Sequence, residues 1–284
     1  VMAKAEGNQG FMWECPNFAE FDGHEALILS PQGVKPEGKL YRNLHQSGSM
    51  LGKMDYESGI FYHDDFKLLD YGFDFYAPQV TQAPDGRCLM VGWLNMWESA
   101  MPEQADGWCG QMTVPRELHY REDKVVTPPA KELTALREEA FAKPDMFLTE
   151  ETSFAEWSQE TGELTADFDL TEAKGLALHF AAGFDDEVSV RIEKESGEIV
   201  LTRKSAATGR AEERFAKLPA GQEKISVRVY EDRSSLEIFF NDGEVVMSTR
   251  FYPKTAERVI VLEPQEGSVR MKNGVFYKLS SIFA

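Results

Sequence analysis

The sequence predicts an all-β protein with two domains, and three observations support this. Residues 1–130 contain short apolar segments separated by turns rich in Gly, Pro and Asp, which is typical of short antiparallel strands. After about residue 145 the segments are longer and alternate between apolar and polar side chains. The length of 284 residues is enough to bury a sizeable core and favours two domains.

In the first part of the chain, the predicted strands span residues 26–30, 75–80, 88–93 and 111–118. Asp85-Gly86 provides a good hairpin turn between two of them. Short antiparallel strands with Gly-Trp pairs at 92–93 and 107–108 are typical of a propeller or a sandwich. No exact repeat is visible, so strand spacing alone does not choose between these two architectures.

The composition changes at Pro128-Pro129, which stops the strand pattern. Apolar residues at positions 133, 136, 140 and 141 then have a spacing compatible with one short helix. We therefore predict a linker at 131–148 between a first domain at 1–130 and a second domain at 149–284.

The second domain has the pattern of an antiparallel β-sandwich. Alternating apolar positions occur at 164–170, 188–192 and 225–229. Residues 236–247 form a predicted hairpin that turns at Asp242-Gly243.

Charge and cysteine content limit the class of protein. The formal net charge of −18 argues against a nucleic-acid partner, and no apolar run is long enough for a membrane helix. Three cysteines cannot all pair within the chain, and Val1-Met2-Ala3-Lys4 lacks the features of a signal peptide. We therefore predict a cytoplasmic protein without a membrane partner.

The sequence predicts no metal and no cofactor. The five histidines have no metal-ligand spacing, and neither a glycine-rich phosphate loop nor a Ser-His-Asp pattern is present. The acidic pair Asp64-Asp65 is interpreted as a turn or strand cap.

The most informative motif is Trp13-Glu14-Cys15-Pro16, which places a carboxylate between an indole and a proline just before a predicted strand. A carboxylic acid that protonates a leaving group at neutral pH needs apolar neighbours that exclude water. The segment 71–79, the two Gly-Trp pairs and Pro115-Arg116-Glu117 follow it in order.

Together these motifs resemble the second half of the catalytic domain of glycoside hydrolase family 32, the invertases and sucrose-6-phosphate hydrolases. The segment 232–239 also resembles a recurrent part of that family's C-terminal sandwich. The resemblance implies a five-bladed β-propeller with its active site in the axial funnel, followed by a β-sandwich. It further implies that Glu14 is the general acid/base of a β-fructofuranosidase.

Two family motifs are missing from the chain. The family nucleophile is an Asp in Trp-x-Asn-Asp-Pro-Asn-Gly, and a second Asp in Arg-Asp-Pro stabilises the transition state, but neither motif occurs here. We therefore expect a C-terminal fragment with about the last two blades. The missing N-terminal blades would be supplied in cis or by a partner chain, and the fragment alone would be inactive.

Five further residues are candidates for binding the sugar. Asn17 stands where the family usually has Asp, and it keeps an acceptor oxygen without the charge. Asp70 matches an Asp that contacts the leaving sugar in plant members, although Phe73 replaces the Lys of that loop. The remaining candidates are Asp74, for which a turn cap is the alternative, and Tyr76 and Trp93, for which blade packing is the alternative.

The predicted function is therefore a retaining β-fructofuranosidase acting on sucrose or sucrose 6-phosphate, with Glu14 as acid/base. Two alternatives stay open from the sequence: a fructosyltransferase, in which another sugar replaces water, and a non-catalytic module for fructan binding or assembly.

Overall fold

The structure is a computed structural model that describes residues 2–157, 160–181, 187–205, 208–253 and 258–282, and its regular secondary structure is almost entirely β-strand. The strands are β1 (Met12–Phe21), β2 (His24–Gln32), β3 (Gly48–Asp55), β4 (Ile60–His63), β5 (Lys67–Leu68), β6 (Tyr76–Gln82), β7 (Cys88–Trp93), β8 (Arg116–Glu117), β9 (His119–Arg121), β10 (Lys124–Val126), β11 (Arg137–Ala142), β12 (Met146–Leu148), β13 (Thr152–Phe154), β14 (Gly162–Asp169), β15 (Ala173–Phe180), β16 (Val188–Glu193), β17 (Glu198–Lys204), β18 (Ala211–Lys217), β19 (Lys224–Asp232), β20 (Ser235–Phe240), β21 (Val245–Arg250), β22 (Ile260–Gly267) and β23 (Val269–Leu279). Short 3-10 helices lie at Pro102–Asp106, Lys131–Leu136 and Ala155–Trp157. The all-β prediction is confirmed. Residue 1 and residues 283–284, at the ends of the two predicted domains, lie outside the described residues.

The first 130 residues form two blades of a β-propeller. One blade has the antiparallel order β1-β2-β3-β4, with β5 also paired to β3. The other has the order β6-β7-β8, and a bridge between Arg116 and Pro129 adds a short outer segment. The strands β1 and β6, which begin the two blades, lie next to each other and carry Glu14, Asn17 and Tyr76.

One hydrophobic core joins the two blades. Ala26 and Ile28 from the first blade pack with Phe75, Met90 and Leu118 from the second, and all five are buried. Their shared burial fixes the relative position of the two blades, and therefore of the side chains on β1 and β6.

The second domain is a sandwich of two antiparallel sheets. One has seven strands in the order β11-β23-β14-β19-β20-β21, with β12 also paired to β23, and the other has six in the order β13-β22-β15-β16-β17-β18. The inward-facing residues of both sheets form one core that includes Trp157, Phe168, Phe180 and Phe276. The segments predicted from their alternation, at 164–170, 188–192 and 225–229, correspond to strands that line this core.

The predicted linker at 131–148 is wrong over most of its length. β11 and β12 both pair with β23 and so belong to the seven-stranded sheet. The chain segment that links the two domains is therefore limited to the 3-10 helix Lys131–Leu136. β11 is an edge strand, so both Glu138 and Glu139 can face water without the alternation that marks a half-buried strand. The sandwich therefore begins near residue 137.

The two domains are joined through the edge of the seven-stranded sheet. Tyr71 N donates to Val246 O at 2.8 Å, and Phe73 N donates to Ser248 O at 2.8 Å. The segment 70–74 of the propeller thus runs alongside β21 like an added strand. This pairing satisfies backbone groups that an exposed sheet edge would leave open.

We expect Gly72→Ala to lower the free energy of unfolding by about 1–3 kcal/mol, because the added methyl group overlaps the neighbouring backbone. A Cβ on Gly72 would lie 2.0 Å from Ser248 O and 2.3 Å from Ser248 N, and backbone atoms cannot rotate away. Urea unfolding measures the change. Gly86→Ala is the matched control, since Gly86 has a positive φ of 89° but open space around it. A loss for Gly72→Ala no greater than that of the control would contradict the close contact.

Candidate active site

Glu14 lies on β1 at a β-bulge. The register pairs Glu14 with Ser30, but it pairs Asn17 with Ile28, so the strand holds an extra residue between them. Cys15 sits in this bulge with a left-handed φ of 47°. Bulges redirect side chains and are common beside functional sites. The local sequence therefore turns the half-buried Glu14 side chain independently of the regular alternation along β1.

Asn17 fixes the bulge and connects the two blades. Its Nδ2 donates to Cys15 O at 2.7 Å and to Pro78 O at 3.0 Å, and its Oδ1 accepts from Val80 N at 3.3 Å. Both amide N–H groups are therefore used by backbone carbonyls. The side chain predicted to bind a sugar instead joins β1 to β6.

Tyr76 contacts the candidate acid directly. Its hydroxyl donates to Glu14 Oε2 at 2.7 Å, while Gln32 Nε2 approaches the same hydroxyl at 3.5 Å. Burial, together with the hydrogen bond to Glu14, raises the pKa of Tyr76 far above its ordinary value. The phenol therefore stays protonated at any physiological pH and can hold the carboxylate in one orientation.

Trp93 lies directly opposite Tyr76 in the pairing of β6 with β7. Directly paired residues point to the same face of a sheet, so the two aromatic side chains share a face. Trp93 is half-buried and packs edge-on against the exposed Trp97, with ring centroids 5.3 Å apart. Tyr76 links Glu14 to this aromatic surface. The structure therefore brings together three of the six predicted site residues as candidates to face a substrate.

Asp70 is placed at the domain interface. Its side chain is fully buried, and Oδ1 accepts from Gly72 N at 2.8 Å and Ser248 N at 2.9 Å. Oδ2 accepts from Ser248 Oγ at 2.6 Å and from Arg116 Nη1 at 3.0 Å. In the structure, Asp70 therefore binds the propeller to β21, and its described hydrogen bonds lie at the domain interface and away from the bulge that carries Glu14.

Asp74 is also buried at this interface. Its Oδ2 accepts from Arg250 N at 2.7 Å and forms an ion pair with Arg203. Both partners lie more than 125 residues away in the sequence, so the local motif gave no sign of them. The structure supports neither the predicted sugar contact nor the turn cap, since the partners belong to the sandwich.

Sequence reasoning missed the role of Arg116, although its motif was noticed. Arg116 is fully buried between Asp70 and Glu237, with Nη2 donating to Glu237 Oε2 at 2.8 Å. Its guanidinium also lies over the rings of Phe75 and Phe239, at 4.8 and 5.2 Å from their centroids. A charged residue inside the motif Pro115-Arg116-Glu117 was the available signal.

The structure offers no cluster of three or more His, Cys, Asp or Glu side chains suited to a metal ion, within the ranges that it describes. The three cysteines are free thiols. In the same ranges, no helix has the length and apolar character needed to cross a membrane.

Two propeller blades that carry a carboxylate beside aromatic side chains, followed by a β-sandwich, define the class of propeller-and-sandwich glycoside hydrolases. The chain belongs to glycosyl hydrolases family 32. The family's N-terminal domain matches residues 1–129, and its C-terminal domain matches residues 132–278. The resemblance inferred from the motifs is therefore confirmed.

Similar proteins share the architecture over nearly the whole chain. A raffinose invertase of Escherichia coli is 32% identical over 280 residues, and a sucrose-6-phosphate hydrolase of the same organism is 34% identical over 281 residues. These alignments cover 99% and 98% of this chain but 58% of each relative. A solved β-fructofuranosidase of Bombyx mori has a TM-score of 0.83 at 32% identity, covering 98% of this chain and 56% of that one. The chain thus spans less than two thirds of the length of these relatives.

Proposed function

We propose that this chain is the acid/base-bearing part of a retaining β-fructofuranosidase that hydrolyses sucrose or sucrose 6-phosphate. The observation that carries the proposal is Glu14, held at a β-bulge and hydrogen-bonded by Tyr76, in a member of glycosyl hydrolases family 32. Relatives named for sucrose-6-phosphate hydrolysis and a Bombyx mori enzyme solved with sucrose support this substrate class.

The proposed chemistry has two steps. Protonated Glu14 gives its proton to the glycosidic oxygen while a second carboxylate attacks the anomeric carbon and the leaving sugar departs. Ionised Glu14 then takes a proton from water, and that water displaces fructose from the nucleophile. The carboxylates of retaining enzymes are about 5 Å apart, so the nucleophile must approach Glu14 from a neighbouring segment.

The nucleophile is proposed to come from outside this sequence. Neither Asn-Asp-Pro nor Arg-Asp-Pro occurs among the 284 residues. The chain also covers 58% of the length of the Escherichia coli relatives, which leaves room for the additional blades. We therefore propose that the 284 residues act together with those blades, in cis or from a partner chain.

Tyr76 and Trp93 are proposed to complete the site with different tasks. Tyr76 orients the Glu14 carboxylate, and the half-exposed Trp93 offers its ring to the C–H surface of a sugar. Asn17 is proposed to keep the bulge in shape through its three backbone hydrogen bonds. In this proposal Asp70 and Asp74 hold the domains together.

The test is hydrolysis of sucrose in the presence of methanol. We expect the 284-residue chain alone to release no glucose, because one carboxylate cannot perform the double displacement. We expect this chain together with the proposed additional blades, in cis or from a partner chain, to form methyl β-fructofuranoside, which records retention and can be identified by NMR. Formation of the α-anomer, or glucose release by the 284-residue chain that Glu14→Gln abolishes, would contradict the proposal.

A further inference from the structure

A cavity of about 310 Å³ lies between the propeller and the sandwich, away from the bulge that carries Glu14. The propeller contributes Phe73, Asp74 and Asn95 to its walls, and the sandwich contributes three arginines: Arg203, Arg214 and Arg250. Its volume falls at the lower end of the range of small-molecule sites. Nothing in the proposed hydrolysis uses this cavity.

Two of these arginines crowd around one aromatic ring. The guanidinium carbons of Arg203 and Arg214 lie 4.1 and 4.3 Å from the centroid of the buried Phe73 ring. Asp74 forms an ion pair with Arg203. Arg214 has neutral partners, since Nε donates to Asn43 Oδ1 at 2.6 Å and Nη1 donates to Glu213 O at 2.9 Å.

Arg214 therefore has no carboxylate partner within ion-pair distance in the described part of the chain. Burial, reinforced by the charge of Arg203, lowers the pKa of Arg214 to about 10. Burial and Arg203 both make the charged form of Arg214 costly, and the nearby Glu212 and Asp74 offset only part of that cost. The Nη2 group of Arg214 donates to no described protein atom and remains available to a ligand.

The buried side-chain atoms of wall residues that lack a hydrogen-bond partner are all donors. Asn95 is 1% exposed, and its Nδ2 has no acceptor, although its Oδ1 accepts from Met96 N and Ser99 Oγ. Arg203 Nε and both Arg250 Nε and Nη2 are likewise buried without an acceptor. Leaving buried donors unsatisfied is costly, so walls with this bias favour a ligand rich in acceptors.

The charge of the walls opposes an anion less than the acidic surface of the rest of the chain does. Arg203, Lys204, Arg214 and Arg250 face Asp74, Glu98 and Glu212 around the cavity. Arg250 is ion-paired with the buried Glu103 behind the wall, so four cationic and four anionic side chains leave no net formal charge here, whereas the whole chain has a formal charge of −18. Glu98 is exposed at the rim, so solvent weakens its effect on the interior more than that of the buried Asp74.

We propose that this cavity between the domains is a binding site for a phosphoryl group, carried by inorganic phosphate or by a hexose phosphate. A phosphoryl group has three acceptor oxygens and a charge of about −2, and the paired N–H groups of arginine bind such oxygens. It can be bound by donors alone. The exposed Trp97 at the cavity edge gives a hexose an aromatic surface next to the phosphoryl position. The proposal is independent of the hydrolytic function, because it concerns residues that the proposed reaction does not use.

Isothermal titration of the 284-residue chain tests the site with four probes at constant ionic strength: inorganic phosphate, glucose 6-phosphate, sulfate and glucose. We expect saturable binding of phosphate or glucose 6-phosphate, and no binding of glucose. Tighter binding of glucose 6-phosphate would identify a hexose phosphate as the ligand, whereas equal binding would identify free phosphate. Arg214→Gln should weaken binding at least about tenfold, because it removes a charge-assisted donor pair.

Arg191→Gln is the matched control, because Arg191 is a half-exposed arginine of the same sheet and does not line the cavity. Arg214→Lys tests whether a loss of binding comes from misfolding, because lysine keeps the positive charge and lacks only the planar guanidinium group. We expect it to bind more weakly than the unaltered chain and more tightly than Arg214→Gln. Equal affinities for the unaltered chain and Arg214→Gln would overturn the proposal. So would the absence of saturable binding up to about 10 mM of either phosphate probe.

Discussion

Replacing Glu14 with glutamine in the active enzyme proposed above is expected to lower kcat for sucrose by about 10²–10⁴-fold, the usual contribution of a positioned acid/base. Glutamine has the shape of the carboxylate but carries no exchangeable acid proton. Tyr76 can still donate to its amide oxygen, so the fold should be unchanged. Initial rates of glucose release, with circular dichroism as a check of folding, measure the effect.

A second substrate shows whether the variant has lost only its acid/base group or has a distorted active site. An aryl β-fructofuranoside with a good leaving group needs no proton for the first step, so the variant should form the fructosyl-enzyme and then stall. Added azide attacks without help from a base and should restore turnover. Equal losses for both substrates, without rescue by azide, would show that Glu14 has another role.

Tyr76→Phe is the matched comparison because it removes the hydrogen bond and leaves the carboxyl group. We expect a smaller loss of roughly tenfold. A merely structural tyrosine would lower the free energy of unfolding without lowering kcat of the folded enzyme.

The largest expected effect on stability comes from Arg116→Met, which should lower the free energy of unfolding by about 3–5 kcal/mol. The substitution fills a similar volume but leaves the buried carboxyl groups of Asp70 and Glu237 without their cation. For a chain of this size the loss corresponds to a decrease in Tm of roughly 6–20 °C. Thermal unfolding followed by circular dichroism measures it.

The pH dependence gives a second signature of the same substitution. Burial raises the pKa of Glu237 above its ordinary value even with Arg116 present, and removing the cation raises it further. A carboxyl group with a raised pKa in the folded state loses stabilisation as pH rises from its unfolded pKa to its folded pKa. The deficit of Arg116→Met relative to the unaltered chain should therefore be smaller near pH 5 than near pH 8.

Arg121→Met is the control for removing an arginine. Arg121 is half-exposed, and its ion pair with Asp242 spans 3.8 Å, so its loss should cost no more than about 1 kcal/mol. If Arg116→Met unfolds at the same temperature as this control, the buried ion network does not hold the domains together.

Sequence reasoning found those parts of the fold whose signals are local. Alternation at 164–170, 188–192 and 225–229 identified β14, β16 and β19, because one face of each strand is buried and the pattern must repeat every two residues. It failed at 137–148, where the edge position of β11 removes the need for alternation.

Glu14 was proposed as the candidate acid from the motif Trp13-Glu14-Cys15-Pro16 and its family resemblance, whereas the bulge around Cys15 appears only in the structure. The sequence by itself thus determined the fold class, the family and the position of the candidate acid Glu14.

The tertiary structure alone decided the tasks of the charged residues. The hydrogen bonds that fix these residues join distant parts of the sequence. Asp70 bonds to Ser248, 178 residues away, and Asp74 bonds to Arg250, 176 residues away. Arg116 bonds to Glu237, 121 residues away. Coulomb energy and hydrogen bonding depend on distance in space. Partners this far apart in the sequence produce no recognisable motif in any short segment of it. Buried charges therefore look like candidate ligands in the sequence until their partners across the domain interface are known.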